Sequence, residues 1–571
     1  MASLGSDKRA LLEKVVVDAR MAAEAAARDA LNRLAVEERE APPSLPAEQR
    51  ELRNALRAKA RQRGNGVVRD GLPLLVEEIA YAQWHRMLFA RVLADHRLLR
   101  HPSGAPVSLR DCADLAEEEQ AADAWDLAAR YASAMLPGLF PDDDPAHSLR
   151  FAPEGRATLE RILNRLPPSF FLADDALGWV YQFWQTEKKR TVSASGRKLA
   201  GADLAAYTQL FTEDYMVRFL LDNTLGAWWA ARHPGSPLIA DFAYLRFRDD
   251  GTPAAGTFPG WPDRAAEITV MDPCCGSGHF LVRAFEMLTR MRREEEGLSE
   301  AEAADAVLRD NLFGLELDMR CTQIATFALA LAAWQRGGHP ERHPPHVACA
   351  GLPVRGQLDD WRRLARGDER LRDALERLHA LFADAPVLGS LIEPRRAIPS
   401  GLFAPRWEDV ERAIERALRR ERASDPGLAI FGHAAEGAAR AAALLGRTYT
   451  LVATNVPYLK RGSQDETLKA FCERHHPEAK ADLATVFLDR CLAFCAERGS
   501  VAAVTPQNWL FLTSYRHFRT RLLELESFNV VARLGPGAFE TISGEVVNVA
   551  LLVITREAPS LGQTFAGLDA A

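Results

Sequence analysis

Apolar positions along this chain follow two rhythms. From Ala2 to about Phe140 they recur at helical spacing, in a stretch rich in Ala, Arg, Glu and Leu and interrupted at Pro42–Pro46 and Gly64–Gly66. Tyr81, Trp84 and Phe89 fall within a second helical segment, Leu75–Leu99, and read as core. Arg53, Arg57 and Arg61 lie at i, i+4 and i+8 and form one basic helix face, read as solvated, with a phosphate track as the alternative. Further on, short apolar runs alternate with helical stretches. Ile268–Met271, Leu312–Leu317, His346–Leu352, Tyr449–Ala453, Val501–Pro506 and Asn529–Leu534 each predict a strand, and VALLVITR supplies a last one. Strands alternating with helices predict the α/β class, with helices on both faces of the sheet.

The spacing also sets out an order of parts. A doubly wound sheet needs one helix between its third and fourth strands, yet residues 356–445 are long, mostly helical and dense in Arg and Glu. The surplus predicts an inserted helical subdomain, in which Arg419, Arg420 and Arg422 read as a solvated face, with DNA or partner contact as the alternative. Pro141–Pro145, with three consecutive aspartates, reads as a linker. The expected division is a helical domain at 1–176, a cofactor-binding half at 177–355, the insertion at 356–445 and a catalytic half at 446–571.

Composition changes this picture little. A net charge of −7 over 571 residues argues against a chain that grips nucleic acid everywhere but permits a local basic groove. No apolar run is long enough to span a membrane, and MASLGSDKRALLEK lacks a signal-peptide core. The eight cysteines include no Cys-x-x-Cys pair, so reduced thiols in a cytoplasmic protein without a metal site are expected.

The chemistry starts at ITVMDPCCGSGHFL, where a strand closes on Asp272 and Pro273, turns through Gly276 and Gly278, and gives way to a helix bearing Phe280 and Leu281. A strand, a glycine turn and a helix N-terminus present backbone N–H groups to a ligand at the carboxyl edge of a sheet. The third glycine of a nicotinamide fingerprint is missing. The second strand ends in Glu316, a carboxylate suited to a ribose diol. The form Asp-Pro-x-x-Gly-Ser-Gly-x-Phe resembles the S-adenosylmethionine loop of amino-group DNA methyltransferases.

A second centre is LVATNVPYLKRG, where a strand delivers Asn455, Val456, Pro457 and Tyr458 to the same edge. An exocyclic amine that is to accept a methyl group needs two acceptors for its hydrogens. The Asn455 side-chain oxygen and the Val456 carbonyl can supply them, and Tyr458 offers a face for an extruded base. The common form of the motif is Asn-Pro-Pro-Tyr; valine at 456 keeps the carbonyl but loses the fixed φ of proline.

Upstream, LGWVYQFWQTEKKR is followed by a polar stretch and then YTQLFTEDYMVRFLLDNTLG, in which Thr212 is the expected N-cap of a helix. Trp179–Trp184, Tyr207–Phe211 and Asp222–Gly226 resemble the PglX-type adenine methyltransferases of BREX phage-defence systems and the related enzyme of DISARM systems, from near Glu77 to the C-terminus with gaps. The resemblance implies a Rossmann-like, seven-stranded methyltransferase sheet, with S-adenosylmethionine as cofactor and adenine in double-stranded DNA as target. Other defence-system subunits are implied as partners. It places Tyr207, Thr208, Phe211, Thr212, Asp272, Pro273, Gly276, Gly278, Phe280, Glu316 and Asp482 at the cofactor, and Phe539 opposite Tyr458 across a flipped base. The acid that often ends the third strand is missing, with Asp359 or Asp360 as replacements. Relatives continue into a target-recognition domain, so recognition is expected from a longer protein or a partner. Two other readings stand beside this one. A restriction–modification enzyme would carry its nuclease half in the aspartate run with Glu187 and Lys189, and a non-catalytic scaffold would bind cofactor or DNA alone.

Overall fold

The computed structural model describes all residues except 1–3, 65, 141–143, 174–175, 200, 209–211, 355–357, 366, 398–409, 411, 413, 415, 417–425, 536, 540–547 and 571. The chain divides into two compact units: Met1–Glu187 with Arg355–Glu376 and Arg412–Glu436, and Lys188–Val354 with Arg377–Glu411 and Gly437–Ala571. The expected insertion is thus shared between them.

The first unit is helical, built on Ser6–Arg33, Ala47–Arg63 and Val68–Asp95. Tyr81, Trp84 and Phe89 are buried, as their spacing predicts, and Trp84 stacks on Trp184. At Arg53 and Arg57 the basic helix face departs from both sequence readings, while Arg61 is exposed as a solvated face requires. Arg53 donates to the carbonyls of Ala35, Glu38 and Glu40, and Arg57 to those of Val36 and Glu38, so both are buried clasps on the turn that precedes their helix. Arginine's forked donors satisfy several carbonyls at once, which a solvated face would not need. Asp144 binds Lys59, and Glu187 and Lys189 lie on the helix Ala176–Ser195 rather than on a strand. Arg419, Arg420 and Arg422 fall outside the described residues.

The second unit holds one mixed sheet: β1 (Val270–Asp272), β2 (Leu312–Glu316), β3 (His346–Cys349), β4 (Tyr449–Asn455), β5 (Cys495–Pro506), β6 (Ser527–Leu534), β7 (Val549–Thr555) and β8 (Ala566–Ala570). Their spatial order is β3-β2-β1-β4-β5-β7-β6-β8. β1 to β5 pair in parallel, while β7 runs antiparallel to both β5 and β6. The seven expected strands are present. The eighth, β8, pairs in parallel with β6, and its last four residues are exposed. It escapes a hydrophobic-run reading because an edge strand buries too little to need one. β5 starts at Cys495, six residues before the expected strand Val501–Pro506.

The order of the strands makes the site. The chain leaves β1 for β2 on one side and returns to β4 on the other, so a crevice opens between β1 and β4 at their carboxyl ends. The neighbours β2, β1 and β4 end there in Glu316, Asp272 and Asn455.

Candidate active site

A cavity of about 700 Å³, open to solvent, lies at that edge of the sheet. Its polar lining includes Glu316, Asn455, Gly276 and Ser390, and its apolar lining includes Leu317, Leu388, Leu483 and Phe487.

The glycine loop folds on its own hydrogen bonds. Cys275 N–H donates to the Leu315 carbonyl at 3.0 Å and Gly278 N–H to the Cys275 carbonyl at 2.7 Å. Gly276 and Gly278 have φ of 52° and 92°, the left-handed region that favours glycine. A Cβ at Gly278 would also meet Ala325 Cα at 3.2 Å, on the helix Met319–Trp334. Gly278 therefore lets the helix His279–Glu296 begin against its neighbour. Asp272 is 1% exposed beneath the loop, and its Oδ1 accepts from Cys274 N–H at 3.1 Å. Glu316 grips the loop from the side. Its Oε2 accepts from Gly276 N–H at 2.8 Å, and its Oε1 from Leu317 and Asp318 N–H at 2.8 and 3.2 Å.

Two neighbouring carboxylates in a buried place resist ionisation. Burial pushes Asp272 up to about 7, with the charge of Glu316 adding to the effect against the Cys274 hydrogen bond. Burial raises Glu316 as well, against its three backbone donors. A carboxyl raised in the fold contributes stability that is complete below its unfolded value near 3.8 and is lost as pH climbs through about 7. Asp272→Asn is therefore expected to flatten the fall in melting temperature of the ligand-free protein between about pH 4 and 7. Parallel pH profiles of the two proteins would refute this reading of Asp272.

Asn455 ends β4 on the opposite side of the cavity. Its Nδ2 donates to Thr212 Oγ1 at 3.1 Å, and its Oδ1 accepts from the Tyr458 hydroxyl at 3.0 Å. A carboxamide oxygen has two lone pairs, so one remains for a substrate. Val456 N–H donates to the Val504 carbonyl, and its own carbonyl accepts no hydrogen bond among the described residues. Val456 and Pro457 both line the cavity. Asn455 and Val456 thus line the cavity side by side.

The other expected contacts divide. Thr208 and Pro273 line the cavity, with Leu204 and Ala205 from the helix Ala202–Thr208. Tyr207 is on that helix but not in the lining, and Phe211 lies outside the described residues. Thr212 is not an N-cap. Glu213 takes that position, and the Thr212 hydroxyl is engaged by Asn455 instead. Phe280 is 2% exposed in the hydrophobic core beneath the sheet edge, so it packs and does not reach the cavity. Asp482 caps the helix Leu483–Phe494 by accepting from Ala484 N–H, and it also accepts from Leu459 N–H just past the Asn455 motif. Phe539 is half-buried against the core, on a loop held by a hydrogen bond from the Tyr215 hydroxyl to the Ala538 carbonyl. Asp359 and Asp360 pair with Arg362 and Arg363 on the helix Leu358–Leu364 and do not line the cavity.

Sequence reasoning missed one wall altogether. Val387, Leu388, Gly389 and Ser390 line the cavity, and the Ser390 hydroxyl donates to the Pro273 carbonyl at 2.6 Å. The buried Arg490 fixes this segment from below, donating to the carbonyls of Ser390, Ile392 and Leu445 at 3.1, 2.9 and 3.2 Å. Two signals were available: the apolar, glycine-bearing run PVLGSL inside an Arg/Glu-rich stretch, and Arg490 in the apolar helix LATVFLDRCLAF.

Among the described residues no cluster of His, Cys, Asp and Glu could hold a metal ion, and no helix is long and apolar enough to cross a membrane. The eight cysteines are free.

Comparison with known proteins agrees with this geometry. A family model of the MmeI DNA-methyltransferase domain matches residues 258–357, and one of the Eco57I restriction-modification methylase matches residues 310–538. The adenine-specific methyltransferase BrxX of Escherichia coli O9:H4 (strain HS) is 30% identical over 424 residues, covering 69% of this chain and 34% of that protein. The adenine-specific methyltransferase PglX of Lacticaseibacillus casei (strain Zhang) is 27% identical over 548 residues, covering 86% of this chain and 44% of that protein. This chain thus spans less than half the length of either. Among solved structures, a DrdV–DNA complex matches with a TM-score of 0.46 at 14% identity, covering 99% of this chain and 43% of that one. The chain belongs to the family of the BrxX and PglX adenine-specific methyltransferases, and its residues 310–538 match the Eco57I restriction-modification methylase.

Proposed function

We propose that this chain methylates N6 of adenine in double-stranded DNA, with S-adenosylmethionine as donor, inside the cytoplasm as part of a BREX- or DISARM-like phage-defence system with further subunits. One observation carries the reading. Asn455 and Val456, the paired acceptors at the end of β4, line the same cavity as Glu316 and Gly276.

The residues present suit the cofactor. Glu316 has lone pairs left for ribose hydroxyls, and Leu317, Leu388, Leu483 and Phe487 supply apolar faces for a nucleoside. The glycine loop, over the buried Asp272, forms the methionine side with Pro273. S-adenosylmethionine, when bound, supplies an electrophilic methyl group on a sulfonium. The chain's part is to hold the adenine amine in line with it. Asn455 Oδ1 and the Val456 carbonyl accept the two N6 hydrogens, which localises the nitrogen lone pair toward the methyl carbon. Transfer of that methyl group to N6 would leave the amine with one surplus proton, which would pass to solvent. Tyr458 stacks on the extruded base, and Phe539 is its partner on the other side. Alignment and polarisation supply the rate.

Methylation-sensitive sequencing of DNA from cells with and without the whole system tests this reading. Adenine methylation at one short motif that vanishes on deleting this chain is the expected result. Unchanged adenine methylation would overturn it. Neither Glu187 with Lys189 on their helix nor Asp144 in its ion pair favours the nuclease alternative.

A further inference from the structure

The loop after β5 turns apolar side chains outward at the edge of the sheet that carries the site. β5 runs parallel to β4 with Val504 opposite Asn455, so the residues after Pro506 emerge where Asn455 and Val456 line the cavity. Trp509, Tyr515 and Phe518 of this stretch are buried. Phe511 and Leu512, between them, are 57% and 52% exposed, and among the described residues no other two large apolar neighbours in sequence are both exposed. Single exposed apolar residues are ordinary, whereas an adjacent pair beside a site marks a surface that something covers.

The pair is held out by a well-bonded turn. Trp509 Nε1 donates to Thr505 Oγ1 at 3.2 Å, and its ring meets Phe518 edge-on with centres 5.7 Å apart. The N–H groups of Phe511 and Leu512 both donate to the Asn508 carbonyl, at 3.2 and 3.0 Å. Arg519 donates to the carbonyls of Trp509 and Leu512 at 2.7 and 2.6 Å, which pins the turn at both ends. The guanidinium of Arg533, on β6, lies over the Phe511 ring at 5.4 Å from its centre. Asp569 at 3.2 Å and Gln507 at 3.4 Å hold Arg533 in place. An aromatic ring backed by a guanidinium and open to solvent is a platform on which a nucleobase stacks.

The neighbouring chemistry selects the occupant. A base that leaves the duplex strips its neighbours of one stacking partner, and apolar side chains entered between base steps hold such a gap open. Arg516, exposed at the start of the helix Arg516–Leu525, adds positive charge for a phosphate four residues past Leu512. A protein surface would match the apolar pair; DNA matches the pair, the adjoining charge and the acceptors at the end of β4.

We propose that Phe511 and Leu512 form a stacking surface for DNA, covering the bases left exposed beside the extruded adenine. The assignment rests on the adenine-methylation reading above and adds a second contact with the same substrate. That contact is made with base faces, so it is indifferent to sequence, and it touches neither the cofactor nor the reacting amine.

The test compares wild type with Phe511→Ala and Phe511→Trp. The probe is a short duplex in which a fluorescent adenine analogue, quenched when an aromatic ring stacks on it, faces an abasic site. Affinity is read by anisotropy at two salt concentrations, and calorimetry with S-adenosylmethionine reports an intact fold. Phe511→Ala should bind the duplex about fivefold to a hundredfold more weakly and lose the quenching. The loss should be the same at both salt concentrations, because stacking, unlike phosphate contact, releases no counterions. Phe511→Trp should keep both affinity and quenching. An alanine variant with wild-type affinity overturns the proposal and leaves the pair as a surface for another protein. Tryptophan as weak as alanine assigns Phe511 to the packing of its loop and overturns it too. So does a loss confined to low salt, which would belong to phosphate contacts. Wild type that stacks on the probe yet methylates cytosine overturns the adenine reading alone and supports the stacking surface.

Discussion

Asn455→Ala is expected to slow methyl transfer by about a hundredfold to a thousandfold while leaving S-adenosylmethionine affinity within about twofold of wild type. The size follows from what a preorganised acceptor contributes at a developing charge, about 2.7–4 kcal/mol. The selectivity follows from position. Asn455 lines the cavity at the end of β4, with β1 between it and Glu316 at the end of β2, which would hold the cofactor. The variant also strips Thr212 and Tyr458 of their shared partner, which adds to the loss at the chemical step. Pre-steady-state rates with calorimetry on the same preparation separate the two effects. Transfer at the wild-type rate would remove Asn455 from the chemistry.

Glu316→Ala is expected to weaken S-adenosylmethionine by about tenfold to a hundredfold, the value of charge-assisted hydrogen bonds to ribose hydroxyls at about 1.5–3 kcal/mol. The loss should reach the upper part of that range. Glu316 also carries the N–H groups of Gly276, Leu317 and Asp318, so its removal loosens the loop that lines the cavity. Asp318 is the natural control. It caps the helix Met319–Trp334 and pairs with Arg320 at 2.6 Å, so Asp318→Ala should leave affinity nearly unchanged. Calorimetry that finds the reverse pattern would show that the wrong carboxylate had been assigned to the strand end.

The fold was legible wherever burial imposes a pattern. β4 and β7 announce themselves because both faces of the sheet are covered there: every residue of β7 and all but the last of β4 are buried, and most of them are apolar. β8 gives no such signal, since little of it is buried. The site was legible where a residue type has one physical use. Glycines at positive φ, a carboxylate at a strand end and an asparagine ahead of Pro-Tyr each point to their task before any coordinates exist.

Where a residue has several uses, its sequence says little. Thr212 has the chemistry of an N-cap and sits two residues before the helix, one ahead of the actual N-cap Glu213, yet the hydroxyl serves Asn455, a partner brought close only by the fold. Arg53 and Arg57 have the spacing of a solvated stripe, and their carbonyl partners between Ala35 and Glu40 become visible only once the chain doubles back. Phe280 belongs to the glycine motif by position and to the core by packing. The wall at 387–390 is harder still. It arises from a stretch expected to be mostly helical and is held in place by Arg490, about a hundred residues later.

This cavity is expected to bring a methyl donor to the N6 amine of adenine. The most direct measurement incubates the chain with methyl-labelled S-adenosylmethionine and methylation-free genomic DNA, digests the DNA to nucleosides and resolves them by mass spectrometry. Label in N6-methyladenine, absent from a parallel reaction with Asn455→Ala, is the predicted result. Label in a cytosine derivative, or equal label from the alanine variant, would contradict it.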